Sequence, residues 1–309
     1  MSKTHVYDMI IVGGGPGGYT AAIYAASAGL DTLVLEKLSA GGQMALSEEI
    51  NNYPGFEEGV DGYTLAEKMQ RQAERFSART VYAEVERMEL AAEPKVLETS
   101  EGVFYARTVA LATGAGPREL GLADEAELVG RGVAYCAACD GMRYRGKTVV
   151  VVGGGNSAAG DALALSRIAE KVILGHRRDK LRATKAYDRP LSQAGNIEFR
   201  WNSAVVELLH GDKLSGVRLR DVNTGEETEL ACDGVFISVG RKPATELVKG
   251  QLELDKNGYI AADETTKTSL PGVYAVGDVR TKALRQVVTA VADGAAAVHM
   301  AEEYLAGGE

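Results

Sequence analysis

The chain has 309 residues, of which 45% are hydrophobic and 25% charged, which is ordinary for a soluble globular protein of about two domains. A net charge of -9 argues against a broad nucleic-acid surface, which needs a basic face. Three cysteines are too few, and odd in number, for a secreted disulfide framework; the polar Met1 to Asp8 stretch lacks signal-peptide character, and no run approaches a membrane span, so a cytoplasmic enzyme is expected.

The first element is a short apolar run, residues 8–12, read as a buried parallel strand. Gly13-Gly14-Gly15-Pro16-Gly17-Gly18 follows, then an alanine-rich helix to about Gly29 and a second strand, Thr32 to Leu35, closing on Glu36. This is a complete β-α-β unit. Its first glycine permits the tight turn, the second lets a pyrophosphate approach the backbone, and the third lets the helix pack on the sheet. Free amides and the helix dipole favour an anion there. Glu36 is placed to accept hydrogen bonds from a ribose diol.

Next, residues 51–62 read as a loop and Leu65 to Phe76 as a helix. Segments near Thr80 to Glu89 and Phe104 to Leu111 read as strands, the second ending in Ala112-Thr113-Gly114. Then comes Cys136-Ala137-Ala138-Cys139-Asp140. Two sulfurs at this spacing can open and close a disulfide, a two-electron change matched to flavin and nicotinamide chemistry, and Asp140 offers a proton for a thiolate leaving group. A half zinc site is the alternative, but no second cysteine pair accompanies it and the four histidines are scattered, so no metal is expected. A purely structural cysteine pair is a further alternative. Cys232 stands alone before an apolar stretch and reads as a core residue.

The β-α-β unit then repeats: a strand at Lys147 to Val152, the turn Gly153-Gly154-Gly155-Asn156-Ser157-Ala158, a helix to about Ala169, and a strand at Lys171 to Gly175. The spacing from Gly13 to Glu36 equals that from Gly153 to His176. Here the strand-end position carries His176, followed by Arg177, Arg178 and Arg182. An acid would repel a 2′-phosphate, whereas arginines bind it through charge-assisted bonds. The first turn therefore suits FAD and the second NADPH; a solvated basic face is the bland alternative. Strands near Ala204–Leu209 and Gly216–Asp221, a hairpin turn at Asn223-Thr224-Gly225, a strand ending at Gly277-Asp278 and a last helix from about Gln286 to Leu305 complete the chain.

On the residues Gly13–Gly18, Gly41-Gly42-Gln43, Asn52-Tyr53-Pro54-Gly55-Phe56, Ala112-Thr113-Gly114, Cys136–Gly141, Gly153–Ala158, His176-Arg177-Arg178 with Arg182, Gly277-Asp278 and Arg285-Gln286, nearly the whole chain resembles the low-molecular-weight thioredoxin reductases of the pyridine nucleotide–disulfide oxidoreductase superfamily. The resemblance implies two Rossmann-like three-layer domains, the NADPH domain inserted into the FAD domain. The expected segments are 1–115 and 246–309 for FAD and 116–245 for NADPH and the dithiol. It implies a homodimer, two alternating domain orientations with hinges near Gly114–Pro117 and Pro243–Leu247, and thioredoxin or a thioredoxin-like protein as partner. By the same resemblance Cys139 faces the flavin and forms the charge-transfer thiolate, Cys136 attacks the partner's disulfide, and Asp140 is the acid–base. FAD contacts are implied at Lys37, Gln43, Asn52, Val85, Asp278, Arg285 and Gln286, beside Gly41, Gly42 and the Ala112–Gly114 and Gly277 turns. Two departures stand out: Gly160-Asp161 replaces the family's common paired glutamates, and Met142-Arg143 replaces aromatic residues after Cys-Asp-Gly. Rival readings are a reductase fed by ferredoxin, a flavin dithiol oxidase, and a flavin-binding sensor without turnover.

Overall fold

The computed structural model describes residues 5–47 and 49–307; the polar Met1–Thr4 stretch lies outside them. The chain forms two compact units, one built from residues 1–116 and 242–309, the other from 117–241.

In the first unit, β1 (Val6–Val12) leads through the glycine turn to α1 (Pro16–Ser27) and β2 (Thr32–Glu36). Met9, Ile10 and Ile11 are completely buried. Covering each such side chain contributes about 1.5–3 kcal/mol, which is why an uninterrupted apolar run becomes a central strand. The helix α2 (Gly62–Arg75) is amphipathic: Leu65, Ala66, Met69 and Ala73 face the core, and the Asp61 side chain caps its start by accepting from Thr64 N at 2.7 Å. Four strands follow, β3 (Arg79–Tyr82), β4 (Val85–Glu89), β5 (Lys95–Thr99) and β6 (Gly102–Leu111). The single strand expected over 80–89 is thus two. The chain leaves the parallel ladder after Tyr82, where Ala83 N bonds Glu36 O, and re-enters the sheet antiparallel to β5.

A short crossover strand, β7 (Ala115–Pro117), leads to the second unit. There β8 (Val133–Ala134), α3 (Ala137–Asp140), β9 (Thr148–Val152), α4 (Asn156–Ser166) and β10 (Lys171–Gly175) are followed by α5 (Asp188–Gln193) and β11 (Ile197–Arg200). An antiparallel sheet of β12 (Ser203–His210), β13 (Leu214–Asp221) and β14 (Glu227–Ala231) comes next, with the hairpin turn at Gly225 in the left-handed region. β15 (Gly234–Ile237) closes a five-stranded parallel sheet in the order β11-β10-β9-β15-β8.

The return crossover strand β16 (Arg241–Pro243) pairs with β7. Residues 244–245 are already tied to the first unit: Ala244 N bonds Gly114 O, Thr113 Oγ1 donates to Ala244 O, and Thr245 Oγ1 donates to Gly258 O. This is why the compact units divide a few residues before 245. The chain ends with β17 (Val273–Ala275), parallel to the second half of β6, and α6 (Val287–Leu305). The first sheet runs β3-β2-β1-β6-β5-β4 with β17 on β6. Small residues let α1 and α6 cross closely, since a Cβ on Gly294 would strike the backbone of Gly17 and Ala21.

Each unit thus has a parallel core of strands, flanked by antiparallel ones, with a glycine turn at the carboxyl end of its first β-α-β strand, the place where open α/β sheets take ligands. Among the described residues no helix is long and apolar enough to cross a membrane.

Candidate functional site

The first glycine turn is held by the strand ends around it. Gly13 sits at φ 105°, and a Cβ there would lie 2.5 Å from Ala112 O, so only glycine fits between β1 and the end of β6. α1 starts at Pro16 with Gly15 as N-cap, no side-chain cap and no acid in its first turn. A Cβ on Gly15 would meet nothing within 4 Å. Unclaimed helix amides face open space, the arrangement a pyrophosphate requires. The Glu36 carboxylate accepts from Gly14 N at 2.5 Å and from Lys37 N at 2.8 Å, which fixes it beside the turn. The loop after β2 folds back, with Gly41 N bonding Gly14 O at 2.7 Å and Gly42 lying against Gly15.

Distant segments converge on this edge. Asn52 Nδ2 donates to Gln286 Oε1 at 2.9 Å, and Gln286 is the N-cap of α6, in a capping box with Thr289. A Cβ on Gly17 would meet Val276 and Ala290, which places the turn against the start of the last segment. Gly277 N donates to Asp293, and the Arg285 guanidinium stacks on Tyr259 at 3.9 Å while its Nε bonds Asp278 O. Lys37 pairs with Glu84, next to Val85 at the start of β4. Gln43 and Gly42 lie exposed on the folded-back loop, and Ala112–Gly114 border the turn from the β6 side.

Three residues that the sequence reading missed hold this edge from behind. Asp293, only 5% exposed, accepts from Gly277 N, from Arg280 Nε and Nη2, and from Lys282 Nζ. Burial by itself would raise its carboxyl, but the bonds to Arg280 and Lys282 prevail and hold it below the ordinary carboxylate range. Burial lowers the Lys282 ammonium more than Asp293 raises it. The available signal was an acid within the alanine-rich run Val-Ala-Asp-Gly-Ala-Ala of α6.

The second turn repeats the first. α4 begins behind Gly155 with no side-chain cap and no acid in its first turn, and a Cβ on Gly155 would again meet nothing within 4 Å. Arg182 N bonds Gly154 O at 2.6 Å, and Thr184 N bonds Asn156 Oδ1, so the arginine loop is fastened across the helix start. Ser157 is exposed and Ala158 buried beneath Gly153. Arg177, Arg178 and Arg182 are all exposed around the turn. The His176 ring lies against Gly154, where no Cβ could be tolerated; it is 5% exposed and its Nε2 has no hydrogen-bond partner. Burial, then the guanidiniums of Arg182, Arg178 and Arg177, push its pKa down, which favours the uncharged ring. A buried nitrogen without a partner beside exposed arginines and free helix amides suits a phosphorylated ribose.

The Gly160-Asp161 departure has a structural counterpart. Tyr187 Oη stands 3.7 Å from where a Gly160 Cβ would be, an ordinary contact distance. Asp161 turns instead to Ser238 at the end of β15, accepting from its Oγ at 2.5 Å, and burial raises its carboxyl.

The dithiol lies in the second unit. Cys136 is the N-cap of the one-turn α3, and its carbonyl accepts from Cys139 N and Asp140 N, so the turn brings the two sulfurs together. Cys136 and Cys139 form a disulfide with their Cα atoms 5.3 Å apart, within normal bridging range. Both are half-buried. Cys232 is a buried free thiol whose pKa burial pushes up to about 12, an inert core residue. Among the described residues no three His, Cys, Asp or Glu side chains gather as a metal site.

Two glycine turns backed by unclaimed helix amides, and one dithiol, define an oxidoreductase of the class that couples a nicotinamide and a flavin to a disulfide. The family model for pyridine nucleotide-disulphide oxidoreductases matches residues 7–294. A thioredoxin reductase of Treponema pallidum (strain Nichols) is 44% identical over 299 residues, covering 97% of each chain, and one of Streptomyces clavuligerus is 45% identical, covering 97% of this chain and 94% of its own. The crystal structure of thioredoxin reductase from Streptococcus pyogenes MGAS5005 superposes with a TM-score of 0.89 at 42% identity, covering 98% of this chain and 99% of that one. The chain belongs to the pyridine nucleotide-disulphide oxidoreductase family, in its low-molecular-weight thioredoxin reductase branch.

Proposed function

We infer that the protein is a thioredoxin-disulfide reductase that carries FAD and draws electrons from NADPH. The observation that carries this reading is the Cys136–Cys139 disulfide on the same unit as the arginine-flanked glycine turn. The intact names of its full-length relatives support the choice of partner.

When bound, NADPH and FAD supply the hydride chemistry that delivers two electrons to the protein's disulfide. The first turn, Gly13, Gly14, Gly15, Pro16 and Gly17, holds the FAD pyrophosphate, and Glu36 takes the adenosine ribose. Lys37, Gly41, Gly42, Gln43, Asn52, Val85, Ala112, Thr113, Gly114, Gly277, Asp278, Arg285 and Gln286 complete that cradle. In the second unit, Gly153, Gly155, Asn156, Ser157 and Ala158 hold the NADPH pyrophosphate. Arg177, Arg178 and Arg182 grip the 2′-phosphate, with His176 behind them.

The chain's own chemistry is thiol exchange. Two electrons break the Cys136–Cys139 bond and leave two sulfurs, one proton being taken up from solvent through Asp140 at the carboxyl end of α3. The Cys136 thiolate attacks one sulfur of the partner's disulfide, and the partner's other sulfur leaves as a thiolate that Asp140 protonates. Cys139 then gives its proton to Asp140 and attacks Cys136 Sγ, which re-forms the internal disulfide, and the partner's departing sulfur takes a proton from solvent, so the partner leaves as a dithiol. The turn between the nicotinamide and thioredoxin steps is taken up near Gly114–Pro117 and Pro243–Leu247. The reading includes a homodimer and a cytoplasmic site of action.

Stopped-flow reduction of the purified flavoprotein by NADPH, NADH and reduced ferredoxin, followed by addition of an oxidised thioredoxin, tests this. NADPH should reduce the protein fastest, and thioredoxin should reoxidise it. Cys136→Ser should abolish thioredoxin turnover yet keep a long-wavelength absorbance from the Cys139 thiolate, and Cys139→Ser should lack that band. Reduction by ferredoxin alone, or reoxidation by oxygen alone, would overturn the reading in favour of its rivals.

A further inference from the structure

The nucleophile sits where regular structure has run out. β8 is a two-residue edge strand whose ladder to β15 ends at the pair Ala134–Phe236. Cys136 is only two residues further on and is the N-cap of a single helical turn. Among the described residues no ladder pair includes the residue between them, Tyr135.

That residue is fixed by its side chain. Its ring packs with Leu120 and Leu122 against the core beneath β8 and β15. Its hydroxyl donates to Glu125 Oε1 at 2.8 Å. Glu125 is 4% exposed, and its carboxylate also accepts from three consecutive backbone amides, Leu120 N at 3.0 Å, Gly121 N at 2.9 Å and Leu122 N at 3.2 Å. A buried carboxylate with four donors is a rigid anchor, because moving it would strand charge and amides together. Burial, then Glu125, raises the Tyr135 hydroxyl, so it stays a donor throughout the range in which thiol exchange runs.

We propose that Glu125 and Tyr135 are positioning residues for the dithiol: the Tyr135–Glu125 bond pins the chain immediately before Cys136 and so sets the direction from which its sulfur meets a partner's disulfide. In-line attack of one sulfur on another tolerates little misplacement, and a small error in the reacting geometry costs rate steeply. A small alkylating agent needs only access to the thiolate, not a fixed approach. Freeing Tyr135 therefore has opposite effects on the two reactions.

The proposal rests on the reductase reading given above, and Tyr135→Phe tests it. The variant keeps the ring in place and leaves Glu125 its three amide donors, so no bare charge is created. In the holoenzyme, kcat/KM for an oxidised thioredoxin should fall about tenfold. NADPH turnover with ferricyanide, which takes electrons without the dithiol, should stay within about twofold. In the dithiothreitol-reduced holoenzyme, alkylation of Cys136 by iodoacetamide, located by peptide mass spectrometry, should speed up about threefold, with Cys139 little changed. Unchanged thioredoxin turnover with unchanged Cys136 alkylation would overturn the proposal. So would ferricyanide turnover falling in step with thioredoxin turnover, since that marks general damage. If the unsubstituted enzyme reduces ferricyanide but no thioredoxin, the reductase reading fails. The alkylation arm then decides the positioning claim alone: acceleration at Cys136 supports it and an unchanged rate overturns it.

Discussion

At the first glycine turn the strand-end side chain is an acceptor already engaged by the turn, Glu36 bonded to Gly14 N; at the second it is a buried imidazole, His176, with one nitrogen left over. Everything around the two is alike. Each helix starts behind a glycine with nothing capping it, and in each the carbonyl of the second glycine takes an N–H from the returning loop, Gly41 at 2.7 Å and Arg182 at 2.6 Å. The backbone turn therefore suits an anion in both units, and on the proposed assignment a few side chains just past the second strand choose which ribose lies in it.

The largest expected break in this comparison comes from the arginines. Arg178→Ala combined with Arg182→Ala removes two charge-assisted contacts worth about 1.5–3 kcal/mol each, so KM for NADPH should rise about a hundredfold or more while KM for NADH moves little. Steady-state kinetics with both nucleotides checks it; equal effects on the two would refute the 2′-phosphate assignment. A smaller effect is expected at the first turn. Glu36→Gln keeps an oxygen for Gly14 N but gives up the charge, so the FAD dissociation constant should rise about tenfold, read by fluorescence on rebinding, with NADPH affinity unchanged. Weakened NADPH binding there would mean that the two turns do not divide the cofactors as inferred.

The smallest effect sharpens the comparison within the helices. Asp161 of α4 stands at the register of Ala21 in α1, each eight residues after its first glycine. Its carboxyl is raised, chiefly by burial, so folding favours the protonated form. Its contribution is most favourable below the unfolded-state pKa of about 3.9 and is lost as pH rises through the higher folded value. Asp161→Asn keeps an acceptor for Ser238 and cannot ionise. Its thermal midpoint should exceed that of the unsubstituted protein at pH 8, and the gap should shrink towards pH 4.5. A gap that widens on acidification would show that the ionised form is the one the fold prefers.

Much of this was legible in the sequence because several glycines of the two turns, Gly13 and Gly17 among them, stand where a side chain has no room. Gly13, Gly17, Glu36 and the arginine run could be read one position at a time. The dithiol was equally plain from the spacing of Cys136 and Cys139. What escaped had no local pattern. The break at Ala83–Glu84 lies inside a run that alternates like one strand, and only the switch from parallel β3 to antiparallel β4 reveals it. The crossover strands β7 and β16 are three residues each, too short to show a period. Asp293 matters through bonds to residues 11 or more positions away, and Glu125 through a bond to Tyr135 ten positions on beside three nearby amides; such satisfaction of buried polar groups leaves no trace in composition.

The insertion of one unit into the other has a consequence for synthesis. Residues 117–241 emerge from the ribosome as an unbroken stretch and can close their five-stranded sheet at once. The first sheet must wait, because the second half of β6 keeps a bare edge until β17 arrives, and Asn52 has no Gln286 to meet until the last helix is made. The nascent chain therefore finishes its middle before its beginning, and flavin capture belongs to the final moments of translation or later.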